Sequence, residues 1–173
     1  MAFDDLNNFP NDVIEQWIAP YAKEEGWPPQ LGADGVPVDR WRYLLSMKPL
    51  SWWQQGEWIK CKGHLSIHDL TKGSQDTILK MAHSYLTGIT NEYSLSISDM
   101  VPRLDRVADY LIEHKNLPCP PILYENNGAY SVSDGNHRLC MYYICYGYFK
   151  LPIPKKLELL VDQEIEYWLF KAP

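Results

Sequence analysis

Cysteine is scarce in this 173-residue chain: Cys61, Cys119, Cys140 and Cys145 are the four present, and no two form a C-x-x-C pair. That excludes a C-x-x-C zinc or redox motif and the dense disulfide framework of a small secreted domain. The opening Met-Ala-Phe-Asp-Asp-Leu lacks the basic start and apolar run of a signal peptide. No run approaches the roughly 18 apolar residues of a membrane span. A cytoplasmic protein with reduced thiols and no membrane contact is the expectation. Lys and Arg never cluster beyond the pair Lys155-Lys156, and 16 Lys+Arg against 22 Asp+Glu leave a net charge of −6. Non-specific duplex DNA binding draws most of its energy from such cations, so it is not expected; a local phosphate pocket remains compatible.

Aromatic residues are what the chain has in excess, with twelve Tyr, seven Trp and four Phe. Such side chains either fill cores or offer flat faces to ligands and partners. Six of the seven tryptophans fall within residues 1–60, together with six of the thirteen prolines. Prolines at that density prevent a self-contained sheet. Residues 1–60 are therefore expected to be an extension packed on a body formed by 61–173. The alternatives are base or sugar stacking by one or two of these tryptophans, or a Trp/Tyr surface that docks a protein partner, since both residue types are enriched at interface hot spots.

Local patterns give a mixed α+β order in one domain. Asn11 is placed to cap a short helix with Val13, Ile14, Trp17 and Ile18 on one face, stopping before Pro20. Residues 26–38 are rich in Gly and Pro and read as a loop, and 40–47 as a second short helix. Residues 63–70 alternate like a half-buried strand, and 76–86 form an amphipathic helix that Gly88 ends. A clearer helix is capped by Ser98 or Asp99, with Pro102 in its first turn and a stripe of Leu104, Val107, Ala108, Leu111 and Ile112. Strands at 121–124 and 129–133 join through Asn127-Gly128 as a hairpin. Residues 137–146, apolar on nearly every side, predict a buried helix ending at Gly147. Residues 151–161 offer a further strand, and Ile165, Trp168 and Leu169 would anchor a closing helix.

One constellation carries chemistry: Asp134-Gly135-Asn136-His137-Arg138, between a strand and a buried helix. A helix entered through Gly leaves backbone N–H groups without internal partners, and the helix dipole adds partial positive charge. His137 and Arg138 would place two more donors beside them, which is a phosphate-binding arrangement. Each residue has a plainer alternative. Arg138 would serve equally in a structural salt bridge to a carboxylate such as Asp105 or Asp109, and His137 in a first-turn backbone hydrogen bond. Asp134 is an N-cap by type, or a Mg2+ ligand. His64 and His68 lie four apart on an expected strand without Cys or Glu partners nearby, which argues against zinc.

The helix at 104–114, Pro120-Pro121-Ile122-Leu123, the hairpin, Asp134-Gly135-Asn136-His137-Arg138-Leu139 and the following Leu-Pro-Ile-Pro together resemble the ParB/sulfiredoxin-like superfamily over about residues 60–161. The resemblance implies a nucleotide-binding fold in which the G-x-[HR]-R element at Gly135, Asn136, His137 and Arg138 holds the phosphates of ATP or a related nucleotide, with Mg2+. Sulfiredoxins carry a nucleophilic cysteine where Asn136 stands, so their chemistry is not implied. Partition-type members add a helix-turn-helix domain after the fold, whereas about a dozen residues follow Val161 here. The Asp-Gly-x-His-Arg form is most similar to ParB-like kinases of free serine and to plasmid fertility-inhibition proteins. Those kinases use a glutamate near the first strand as base; residues 65–69 hold none, leaving His68 or Asp69 as substitutes. The expected function is ATP hydrolysis or phosphoryl transfer with His137, Arg138, His68 and Asp69 as catalytic groups. The alternative is an inhibitor or immunity-like interaction protein on the same fold, with nuclease activity a less favoured variant.

Overall fold

The computed structural model describes residues 2–89, 97–146, 155–158 and 164–173. At its centre lies a four-stranded mixed sheet in the order β1-β4-β2-β3, built from β1 (Glu57–Gly63), β2 (Ile122–Asn126), β3 (Ala129–Asp134) and β4 (Ile165–Lys171). The pairs β1–β4 and β2–β3 are antiparallel, and β2 runs parallel to β4 with Ile122 opposite Trp168 and Tyr124 opposite Phe170. Successive residues of a strand face opposite sides, so these strands are apolar on both. Leu123, Leu169 and Ile165 belong to one core, while Ile122, Tyr124 and Phe170 belong to another.

The first core is helical. Helices α5 (Lys72–Thr87), α6 (Ile97–His114) and α7 (Asn136–Cys145) bring Ile78, Met81, Ala82, Leu104, Ala108 and Leu111 against it. Helix α7 is enclosed on all sides, with every residue from Leu139 to Ile144 at 0% exposure, as its uninterrupted apolar run requires. The short helix α8 (Lys155–Glu158) adds the buried Leu157.

Aromatic packing dominates the second core, on the opposite face of the sheet. Three helical pieces run through residues 11–25: α1 (Asn11–Val13), a π-helical turn (Ile14–Ile18) and α2 (Ala19–Glu25). Helices α3 (Asp39–Leu44) and α4 (Leu50–Gln55) follow. Trp17, Trp41 and Trp53 are buried and Trp27, Trp52 and Trp58 half-buried, so none of the six N-terminal tryptophans lies open on the surface. Trp53 sits 4.7 Å from the Phe170 ring, 5.3 Å from Trp17 and 5.7 Å from Tyr124, in mostly tilted or edge-on pairs. Such pairs add about 0.5–1.5 kcal/mol each beyond area burial. The N-terminal layer thus completes the sheet's second face, and the boundary expected at 60/61 falls inside β1.

Several elements differ from their sequence expectation. Pro20 does not stop the first helix: it enters at the first turn of α2, where its missing N–H is harmless, after the π-turn has shifted the register. The strand expected over 63–70 instead precedes that segment as β1. Ser66 accepts from the His68 N–H, and the Asp69 carboxylate accepts from the Ser66 N–H at 2.9 Å, and this capping box folds Ile67–Asp69 into a 3-10 turn. Helix α6 begins at Ile97, so Ser98 and Asp99 lie inside it and Pro102 in its second turn. The expected closing helix is β4: with apolar residues on both faces its periodicity is ambiguous, and aromatic and β-branched side chains favour a strand. Residues 155–158 of the strand expected over 151–161 are helical; its remainder and the helix end at Gly147 lie outside the described residues. The hairpin follows expectation, with Asn127 at φ 53° and Gly128 at φ 81° between Asn126 and Ala129.

Candidate functional site

The end of β3 turns directly into α7. Near the end of β3 the register slips: Leu123 faces Val132, but Ile122 faces Asp134, so Ser133 is an extra residue without an opposite number. This bulge bends the strand toward the helix. Gly135 is the helix N-cap at φ 108°, a conformation that L side chains avoid, and a Cβ there would stand 3.1 Å from the Pro121 backbone. Glycine is therefore favoured by the dihedral, and a side chain there would also press on Pro121.

Asp134 and Arg138 clasp this turn. The Arg138 Nη2 donates to Asp134 Oδ2 at 2.6 Å, and Nη1 donates to the carbonyls of Cys119 (3.0 Å) and Pro120 (3.2 Å) and to Cys119 Sγ (2.8 Å). Gln16 reaches across from the π-turn, its Nε2 donating to Asp134 Oδ2 (3.1 Å) and to the Pro120 carbonyl (2.8 Å). The Arg138 side chain is 11% exposed. Its guanidinium is engaged by these protein acceptors, which leaves less of it for the phosphate contact expected of it. The salt-bridge alternative is realised with Asp134, not with Asp105 or Asp109. Asp134 makes no N-cap bond either.

Asp134, the residue expected to hold Mg2+, is already engaged through one carboxylate oxygen. A guanidinium and an amide already occupy Oδ2, and a cation there would face Arg138 across a single oxygen. Among the described residues no group of three or more His, Cys, Asp or Glu could hold a metal ion.

Cationic groups gather instead in a groove of about 410 Å³ between α6 and the start of α7, lined by Arg103, Arg106, Val107, Tyr110, Pro118, His137 and Arg138. Arg103, Arg106 and Tyr110 recur at i, i+3 and i+7, which puts them on one face of α6. Arg103 pairs with Asp99 at 3.1 Å, while Arg106 has no ion-pair partner among the described residues. Buried polar atoms without hydrogen-bond partners cluster where α7 begins: Ser133 Oγ, Asn136 Oδ1 and His137 Nε2. Burial holds the His137 imidazolium below its ordinary range and Arg103 pushes the same way, against the weaker pull of Asp99 and Asp134. His137 is therefore neutral at pH 7. The groove is not the largest cavity; one of about 460 Å³ lies in the N-terminal layer beside Phe3 and Glu15. Charge, not volume, distinguishes the groove.

Of the residues expected at the site, His137 and Arg138 line the groove, Gly135 and Asn136 form the turn that leads into it without lining it, and His68 and Asp69 line no part of it. Asp69 is engaged in its capping box, and His68 is exposed in the same turn. Cys140 is fully buried one turn into α7 with its thiol pushed far up by burial, as an inert core residue should be. Arg103, Arg106, Pro118 and Gln16 were not foreseen; the i, i+3, i+7 spacing on α6 was the available signal for the first two. No helix among the described residues is long and apolar enough to cross a membrane. Comparison with protein-family models, with curated proteins and with solved structures returns no match to this chain.

Proposed function

We propose that the chain is a nucleotide-binding enzyme of the ParB/sulfiredoxin-like kind that binds the phosphates of ATP or a related nucleotide in the groove between α6 and α7. The observation that carries this reading is the convergence of the Arg103 and Arg106 guanidiniums, beside the neutral His137, on one concave surface in a chain of net charge −6. Cations gathered against the overall charge suit an anionic ligand. Unpartnered buried atoms at Ser133, Asn136 and His137, three near neighbours in the chain, add support because such groups are open to a ligand's hydrogen bonds. So does the order helix, Pro120-Pro121-Ile122 strand, hairpin, Gly135 turn and buried helix.

In this reading the guanidiniums of Arg103 and Arg106 hold and neutralise phosphate oxygens, and Arg138 is a positioning residue that fixes the turn through Asp134. Neutral His137 is the group able to take a proton from an attacking water or hydroxyl, giving hydrolysis or phosphoryl transfer. The competing interaction-protein reading loses its tryptophan surface to the core and retains the exposed Tyr43 and Met47.

Isothermal titration of ATP into the wild type, Arg103→Ala and Arg106→Ala tests the proposal, with phosphate release followed in parallel. Each exposed arginine should contribute about tenfold in affinity, on the order of 1.4 kcal/mol. If the wild type binds no nucleotide at millimolar concentration, the reading fails.

A further inference from the structure

Tyr110 and Pro118 form one wall of the cationic groove. Both residues also wall a smaller cavity of about 170 Å³, which Asn116, Cys119 and Glu166 complete. Alone it is below the size of a small-molecule site, but as an annex it extends the groove toward one planar ring. Its chemistry is opposite to the groove's. Asn116 Oδ1 accepts from the Leu117 N–H at 2.9 Å, so the amide offers the cavity its Nδ2 donors. Glu166 offers a carboxylate that is 45% exposed and only loosely paired, with Lys60 at 3.9 Å. Between the two halves stands Tyr110, 36% exposed, its ring held against His114 with centroids 4.1 Å apart.

We infer that the annex is the nucleobase subsite and selects bases carrying an exocyclic amino group, an inference that rests on the phosphate reading of the adjoining groove. A carboxylate accepts from an amino group, and an amide N–H donates to the neighbouring ring nitrogen or carbonyl. Uracil has no amino group and offers Glu166 only its ring N3–H, a poorer match than the amino-bearing bases. Tyr110 supplies the stacking face, and its position on the shared wall joins base and phosphates in one ligand.

Binding of ATP, CTP, GTP, UTP and methyl triphosphate to the full chain separates the two levels of the claim. The amino-bearing nucleotides should bind at least about tenfold more tightly than UTP or methyl triphosphate. Glu166→Gln should erase the preference over UTP while leaving methyl triphosphate unchanged, and Tyr110→Leu should weaken every nucleotide about tenfold more than it weakens methyl triphosphate. Thermal melts establish that each variant is folded. Should methyl triphosphate bind as tightly as ATP, or Glu166→Gln keep the preference, the base subsite is overturned and the phosphate groove stands. Should neither methyl triphosphate nor any nucleotide bind, the phosphate reading falls and the subsite with it.

Discussion

Arg138 donates to Asp134 across the Gly135 turn at 2.6 Å, with both side chains largely out of water at 11% and 25% exposure. The pair joins the end of β3 to the start of α7, and the other guanidinium nitrogen fastens the 119–120 carbonyls to the same point. Gln16 binds the same carboxylate oxygen, so the N-terminal layer, the sheet and the buried helix meet at one cluster of hydrogen bonds.

Removing Arg138 should therefore act on stability first. Arg138→Ala removes the charged donor from Asp134 and from the Cys119 and Pro120 carbonyls, leaving Gln16 to serve Asp134 and Pro120, and should cost about 2–4 kcal/mol in chemical denaturation. Arg138→Lys should recover part of that, because an ammonium lacks the planar fork that reaches several acceptors at once. A variant as stable as the wild type would show that the clasp contributes nothing.

Gly135→Ala and Gly128→Ala separate dihedral strain from crowding. Both glycines have positive φ, 108° and 81°, but a Cβ at 128 meets nothing within 4 Å, whereas at 135 it meets Pro121 at 3.1 Å. Gly128→Ala should cost about 1–2 kcal/mol from strain alone. Gly135→Ala should cost more in equilibrium unfolding; equal costs would mean that Pro121 gives way freely.

Acidification should weaken the fold through His137. Its folded pKa lies below the ordinary value of 6.5, mainly from burial and then from Arg103, with Arg138 adding a little and Asp99 and Asp134 opposing. The unfolded chain thus takes up the proton first, so stability is full above pH 6.5 and falls as pH drops below it. His137→Gln should flatten that part of the melting-temperature profile between pH 7 and 5. A bound anion in the groove favours the imidazolium, so nucleotide binding should be accompanied by proton uptake near pH 6, measurable as a dependence of binding heat on buffer ionisation enthalpy.

Trp53, at 0% exposure among Trp17, Trp58, Tyr124 and Phe170, should be the most costly aromatic to truncate. Trp53→Ala should lose about 3–5 kcal/mol. Because Ile122, Tyr124 and Phe170 of the sheet belong to the same core, tryptophan fluorescence and far-ultraviolet dichroism should report one coincident transition in the wild type. Two separated transitions would make the N-terminal layer an independent unit.

Local chemistry made some elements legible from the residues alone. The Asn127-Gly128 hairpin, the amphipathic stripe of α6 and the all-apolar α7 each announce themselves through neighbours a few positions apart, and the structure shows each one. So does the strand-to-helix turn at Gly135. Other features depended on partners remote in the chain. Whether 165–171 became a helix or a strand was settled by pairing with β1 and β2 on either side, which no local period encodes. Trp17 and Trp53 became core because they cover Ile122, Tyr124 and Phe170, on a sheet face more than fifty residues away in the chain. At the site, residue type alone marked Arg138 as an anion ligand, but the carbonyls of Cys119 and Pro120 and the carboxylate of Asp134 reached it first. Arg103 and Arg106, on a helix that packs beside α7 only in the folded chain, took up the exposed positions. Sequence determined which charges were present; tertiary packing decided which of them remained open to a ligand, because only burial and competing partners determine whether a guanidinium is spent inside the protein.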